Sequence, residues 1–123
     1  MRQGYGEART RGGWLAAGGA IYAAAGVGLA AYAAHVAVAP DASRLQTAAL
    51  FAFGHGVALA ALAQTTRGRL GRLALLALWA GALLFAGSLA AAVFLHWPTV
   101  LAPYGGMLLV GGWLLYAIDL LRR

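Results

Sequence analysis

Apolar positions along this chain fall into four long runs separated by short polar breaks. The first, Trp14 to Val38, holds 25 residues without a formal charge. As a helix it would be roughly 37 Å long, enough to cross a hydrocarbon core of about 30 Å with some tilt. Ala39-Pro40-Asp41-Ala42-Ser43 interrupts it, and Asp41 or Ser43 is placed to cap the helix that follows. The second run spans about 45–63 and ends in a basic break carrying Arg67, Arg69 and Arg72. The third covers 73–95 and closes on His96-Trp97-Pro98. The fourth starts near Thr99 or Pro103, where a proline is tolerated in the first turn, and runs to about residue 120. The pattern predicts an all-α integral membrane protein, a four-helix antiparallel bundle with helices at about 14–38, 45–63, 73–95 and 99–120. These form one domain over 14–121, behind a polar tail at 1–13.

Composition agrees: 63% of residues are hydrophobic and 10% charged, where soluble domains carry about 25% charged residues. Ala37-Val38-Ala39 has the form of a signal-peptide cleavage site, but the apolar run before it is far longer than the 7–15 residues or so of a signal h-region. All nine basic residues are arginine, and cysteine is absent, which removes disulfides, thiolate metal sites and thiol redox chemistry. The arginines also set an expected orientation. Eight lie in the N-terminal tail, the middle loop and the C-terminus, and only Arg44 lies on the other side. By the positive-inside rule both termini face the cytoplasm, in a bacterial inner membrane. A net charge of +6 invites a nucleic-acid reading, but short arginine clusters beside membrane spans point to membrane lipids and topology control instead. No nucleic-acid partner is expected.

Lipid tails supply no hydrophobic drive between helices, so close backbone contact through small residues holds a membrane bundle together. Helix 1 carries such a stripe at Ala16, Gly19, Ala23, Gly26, Ala30, Ala33 and Ala37. Gly19, Gly26, Gly54, Gly87, Gly105, Gly106 and Gly112 are the expected packing glycines. Tyr32, Trp97, Tyr104 and Tyr116 fit interfacial anchors.

Ionisable groups inside a membrane are costly and are functional candidates by default. Between Arg44 and Arg67, and again between Arg72 and Asp119, the only ones are His55 and His96. The lack of an intramembrane carboxylate argues against a proton-coupled drug antiporter. Counting from the helix ends, His55 lies about 15 Å deep and Ser88 about 10 Å, with Gly111, Gly112 and Trp113 at a similar level. His55 and Ser88 are therefore expected to meet in the interior as a structural hydrogen bond between helices 2 and 3. His35, His55 and Ser88 form the candidate polar cluster, with a ligand or proton-relay role as the alternative. His35 and His55 differ by about 10 Å in depth, a poor match for haem ligation, and three scattered histidines make a weak metal signal. No catalytic residue, cofactor or metal is expected.

Five motifs occur in order: GLAAYAAH at 28–35, Phe53-Gly54-His55, Ala58-Leu59, LFAGSL at 84–89, and Pro103-Tyr104-Gly105-Gly106 followed by Gly112-Trp113. Together they make the chain similar, over about 14–118, to the YgdD/YwdK-like family of small bacterial inner-membrane proteins, domain-of-unknown-function family 423. The chain departs from that pattern where Gly54 replaces the aromatic before His55, and where Ala86 and Ala90 replace a serine and a tyrosine of the helix 3 motif. The resemblance implies a four-helix membrane protein and no activity. The functional expectation is a non-enzymatic structural or accessory subunit, with a membrane-protein partner or a homo-oligomer. A small oligomeric transporter or channel built on His55 and Ser88 is the runner-up, and haem or metal binding stands third.

Overall fold

The computed structural model describes residues 2–123, with side chains described from Gly13 onward. Four helices follow in order, α1 (Arg2–His35), α2 (Asp41–Leu62), α3 (Arg69–Phe94) and α4 (Ala102–Arg122); no strand occurs among the described residues. The side chains of the polar tail, Arg2, Glu7, Arg9 and Arg11 included, lie outside the described residues. Each helix contains a segment long and apolar enough to cross a membrane, Gly13–His35 in α1 and the whole of the other three. The chain is an all-α, multi-pass membrane protein.

α1 takes in the expected polar tail, starting at Arg2 and not at Trp14, and the other boundaries shift by up to four residues from those the hydropathy runs predict, for local reasons. α1 stops at His35, before Pro40, which steers the residue ahead of it away from helical backbone. α2 begins earlier than expected, at Asp41, whose carboxylate suits the positive end of the helix. Neither expected cap forms. No side chain caps α2, and the Ser43 hydroxyl instead donates back to the Pro40 carbonyl at 3.0 Å. α3 starts four residues before the expected Leu73, from the extended N-cap Gly68. It ends where His96 turns into left-handed backbone at φ 56° and the Trp97 N–H reaches the Ala91 carbonyl at 3.3 Å. α4 begins at Ala102 with Pro103 in its first turn.

Short connections make successive helices antiparallel, and the contacts run in sequence order: α1 on α2, α2 on α3, α3 on α4. Among the described residues α1 only brushes α3, α1 and α4 do not meet, and α4 makes no close backbone approach to α2. The helices thus form two hairpins joined by the α2–α3 face. Glycine sets the depth of both hairpin seams. A Cβ added to Gly56 would sit 2.5 Å from the Gly19 carbonyl oxygen and the Ala23 nitrogen, and one on Gly26 would sit 2.7 Å from the Phe53 nitrogen. The α1 stripe from Gly19 to Gly26 is therefore the surface that meets α2. In the second hairpin, a Cβ on Gly105 would lie 2.5 Å from the Phe85 nitrogen, and one on Gly112 would lie 2.9 Å from a Leu78 methyl. Leu59, Leu75, Leu78 and Leu109 fill the space between the hairpins, with Ala48, Ala52 and Ala86 forming a second small core.

Two of the glycines expected at helix seams are placed otherwise. A Cβ on Gly54 would meet nothing within 4 Å and one on Gly87 only a methyl of its own helix neighbour Leu83 at 3.9 Å, while one on Gly106 would meet the Phe85 ring of α3 at an ordinary 3.8 Å. Gly54 lies two residues from the seam glycine Gly56, about 200° round the helix, so the two cannot share a face. Gly18, Gly56, Gly71 and Gly81 take up close contacts instead.

Candidate functional site

The polar centre of the molecule lies where α2 and α4 face each other across α3. The Trp113 indole Nε1 donates to His55 Nε2 at 3.0 Å. An indole N–H can only donate, so His55 Nε2 is the acceptor and Nδ1 carries the ring proton. Nδ1–H then donates to the Phe51 carbonyl one turn back, at 2.9 Å. Both ring nitrogens of His55 are thereby used. Rings surround the pair: Phe51 stacks on His55 with centroids 5.7 Å apart, Phe85 lies 4.5 Å from Phe51, and Tyr116 meets Trp113 edge-on at 6.3 Å.

Because α4 does not close onto α2 along its length, the Trp113–His55 contact bridges an open groove and divides it. On one side lies a cavity of about 670 Å³, lined by Phe51, Phe85, Met107 and Val110 beside the bridge. On the other lies one of about 460 Å³, walled by Val57, Ala61, Tyr116 and Leu120. Both are apolar apart from the bridge.

The expected partner of His55 is not the one it finds. Ser88 lies two residues from Ala86, which packs on Ala48 and Ala52 of α2, so it sits about 200° round α3 from the α2-facing side. His35 is exposed in the last turn of α1. The cluster of His35, His55 and Ser88 does not assemble, and no three of His, Cys, Asp or Glu come together among the described residues. His55 Nε2, the nitrogen left to ligate once Nδ1 serves the backbone, is taken by Trp113.

Two further polar contacts were not expected from the sequence. Tyr22 of α1 donates to the Trp79 carbonyl of α3 at 2.9 Å, and the Trp79 ring lies between Trp14 and Tyr22. Its buried indole nitrogen has no partner among the described residues and faces Gly18, where an added Cβ would come within 2.5 Å of it. At the far end of the bundle Asp119 is buried, 7% exposed, and accepts from Arg123 Nε at 3.1 Å and Nη2 at 2.7 Å. The hydrogen bond to that carboxylate raises the Arg123 guanidinium above its ordinary pKa. Asp119 rests on the first turn of α3, where Gly71 leaves room for it. Tyr116, expected as an interfacial anchor, is buried, with its hydroxyl 3.5 Å from Thr66 Oγ1; Tyr32, Trp97 and Tyr104 are exposed. The signal for Trp113 was present in its depth, level with His55, but depth does not say which helix faces meet.

A family model described as "Protein of unknown function (DUF423)" matches residues 29–106, from the last two turns of α1 to the first turns of α4. No curated protein and no solved structure matches the chain.

Proposed function

Since the chain belongs to the DUF423 family, a family defined without an activity, we propose from its geometry that it is a non-enzymatic structural or accessory subunit of a membrane complex. The observation that carries this reading is the engagement of His55. Both His55 nitrogens serve bonds within the bundle, one to a backbone carbonyl of its own helix and one to Trp113 of α4, so the ring ties α2 to α4. The one buried carboxylate among the described residues, Asp119, is bound to Arg123. What the spans offer to the outside is apolar surface and small side chains, the material of helix association in lipid.

The orientation proposed is N- and C-termini cytoplasmic in a bacterial inner membrane, supported by the arginine asymmetry. The transporter reading is less well supported, because its polar site required His55 and Ser88 together and the groove beside His55 is lined by aromatic and aliphatic side chains. Affinity capture of the full-length chain in mild detergent, with cross-linking before solubilisation, tests the subunit reading. A stoichiometric membrane-protein partner or a second copy of the chain is the expected result; recovery of the lone chain in both experiments would refute it.

A further inference from the structure

We propose that the arginine-walled cavity where α3 begins and α4 ends binds the headgroup phosphate of one anionic phospholipid. The cavity is about 280 Å³ and is lined by Gly68, Arg69, Leu70, Asp119, Arg122 and Arg123. Three arginines line it with one acidic residue, Asp119, whose carboxylate is committed. Asp119 holds Arg123 through two hydrogen bonds and fixes its guanidinium 5.8 Å from the centre of the Tyr116 ring. Among the described residues no carboxylate pairs with Arg69 or Arg122. Arg69 of α3 and Arg122 of α4 therefore leave the lining of the recess with an excess of positive charge. Guanidinium forks match the oxygens of a phosphodiester, giving charge and geometry together.

Position within the fold selects a lipid over a free ion. Arg69 is the first residue of α3 and Arg122 the last of α4, so the recess opens where spans leave the hydrocarbon and headgroups begin. Leu70 forms an apolar wall of the cavity, and Leu120 and Leu121, 50% and 88% exposed, adjoin the arginines in the chain. That apolar surface suits an acyl chain and does nothing for inorganic phosphate. A zwitterionic headgroup brings its own cation into a recess that already holds a surplus of them, so a net-negative lipid is favoured.

The test uses the full chain in nanodiscs of equimolar phosphatidylcholine and phosphatidylglycerol, with retained lipids counted by native mass spectrometry after release from the disc. The wild type should keep one phosphatidylglycerol in preference to phosphatidylcholine. Arg69→Gln and Arg122→Gln should each weaken that retention about fivefold, the scale of one basic residue near an anionic surface. Arg44→Gln, at the opposite end of the bundle, should leave it unchanged. Phosphatidylglycerol should also raise the melting temperature of the wild type and not that of the Arg69→Gln/Arg122→Gln double variant, a readout that identifies a misfolded variant by its lowered melting point without lipid. Equal retention of the two lipids, or an equal loss in Arg44→Gln, overturns the proposal. So does displacement of the bound lipid by millimolar inorganic phosphate, which would assign the recess to a soluble anion.

Discussion

An indole has one proton to give and no lone pair to accept with, so its contact with His55 leaves a single tautomer compatible with both bonds the ring makes. Breaking either partner strands the other beside apolar walls. Trp113→Phe and His55→Leu should each destabilise the bundle by about 1 kcal/mol, and the double variant should lose less than the sum, with a coupling of roughly 0.6 to 1.7 kcal/mol, the range found for interhelical hydrogen bonds in membranes. Reversible unfolding of the four proteins in mixed micelles measures this cycle, and zero coupling would mean the bridge is absent. The sequence carried half of this site. Intramembrane rarity marked His55, and counting along helices put Trp113 and Ser88 at its depth. Which of the two it meets depends on rotation about the helix axes, which packing decides. Ala86 turns α3 toward Ala48 and Ala52 of α2, and Gly81 turns it toward Gly105 and Leu109 of α4.

At the scale of the helices, glycine positions that look alike in sequence have opposite roles. Gly54 and Gly56 flank the same histidine, yet a methyl on Gly56 collides with the α1 backbone while one on Gly54 meets open space. Gly56→Ala should push α1 away from α2 and cost about 1 to 3 kcal/mol, the usual range for overpacking. Gly54→Ala should be neutral or stabilise by up to about 1 kcal/mol, because it removes backbone freedom at no steric cost. Thermal unfolding in detergent separates the two by sign, and equal effects would contradict the seam. The helices themselves were legible from the four apolar runs, as was the α1 stripe with Gly19 and Gly26, because both rest on period and length. Gly56, Gly71 and Gly81 were not, since their role is defined by the backbone or side chain of another helix lying above them.

Across the whole molecule five arginines gather at one end, Arg67 just before α3, Arg69 and Arg72 in its first turn, Arg122 closing α4 and Arg123 after it, while Arg44 lies near the start of α2 at the other end. Such asymmetry sets orientation during insertion. A reporter active only in the cytoplasm should work when fused after Arg123 and fail when placed near Thr99, and the reverse pattern would overturn the proposed orientation. The order of contacts has a separate consequence for how the protein is made. The seams in which glycine meets the backbone of another helix each lie within one hairpin, Gly18 meeting only the Trp79 side chain across them, and among the described residues no seam joins α1 to α4. The first hairpin can thus complete its tightest packing while α3 is still inside the ribosome, and the second can do the same before it docks. Biogenesis then reduces to closing two locally encoded clasps and one later joint along α2 and α3, and a chain severed between Thr65 and Gly68 would still carry the instructions for both clasps.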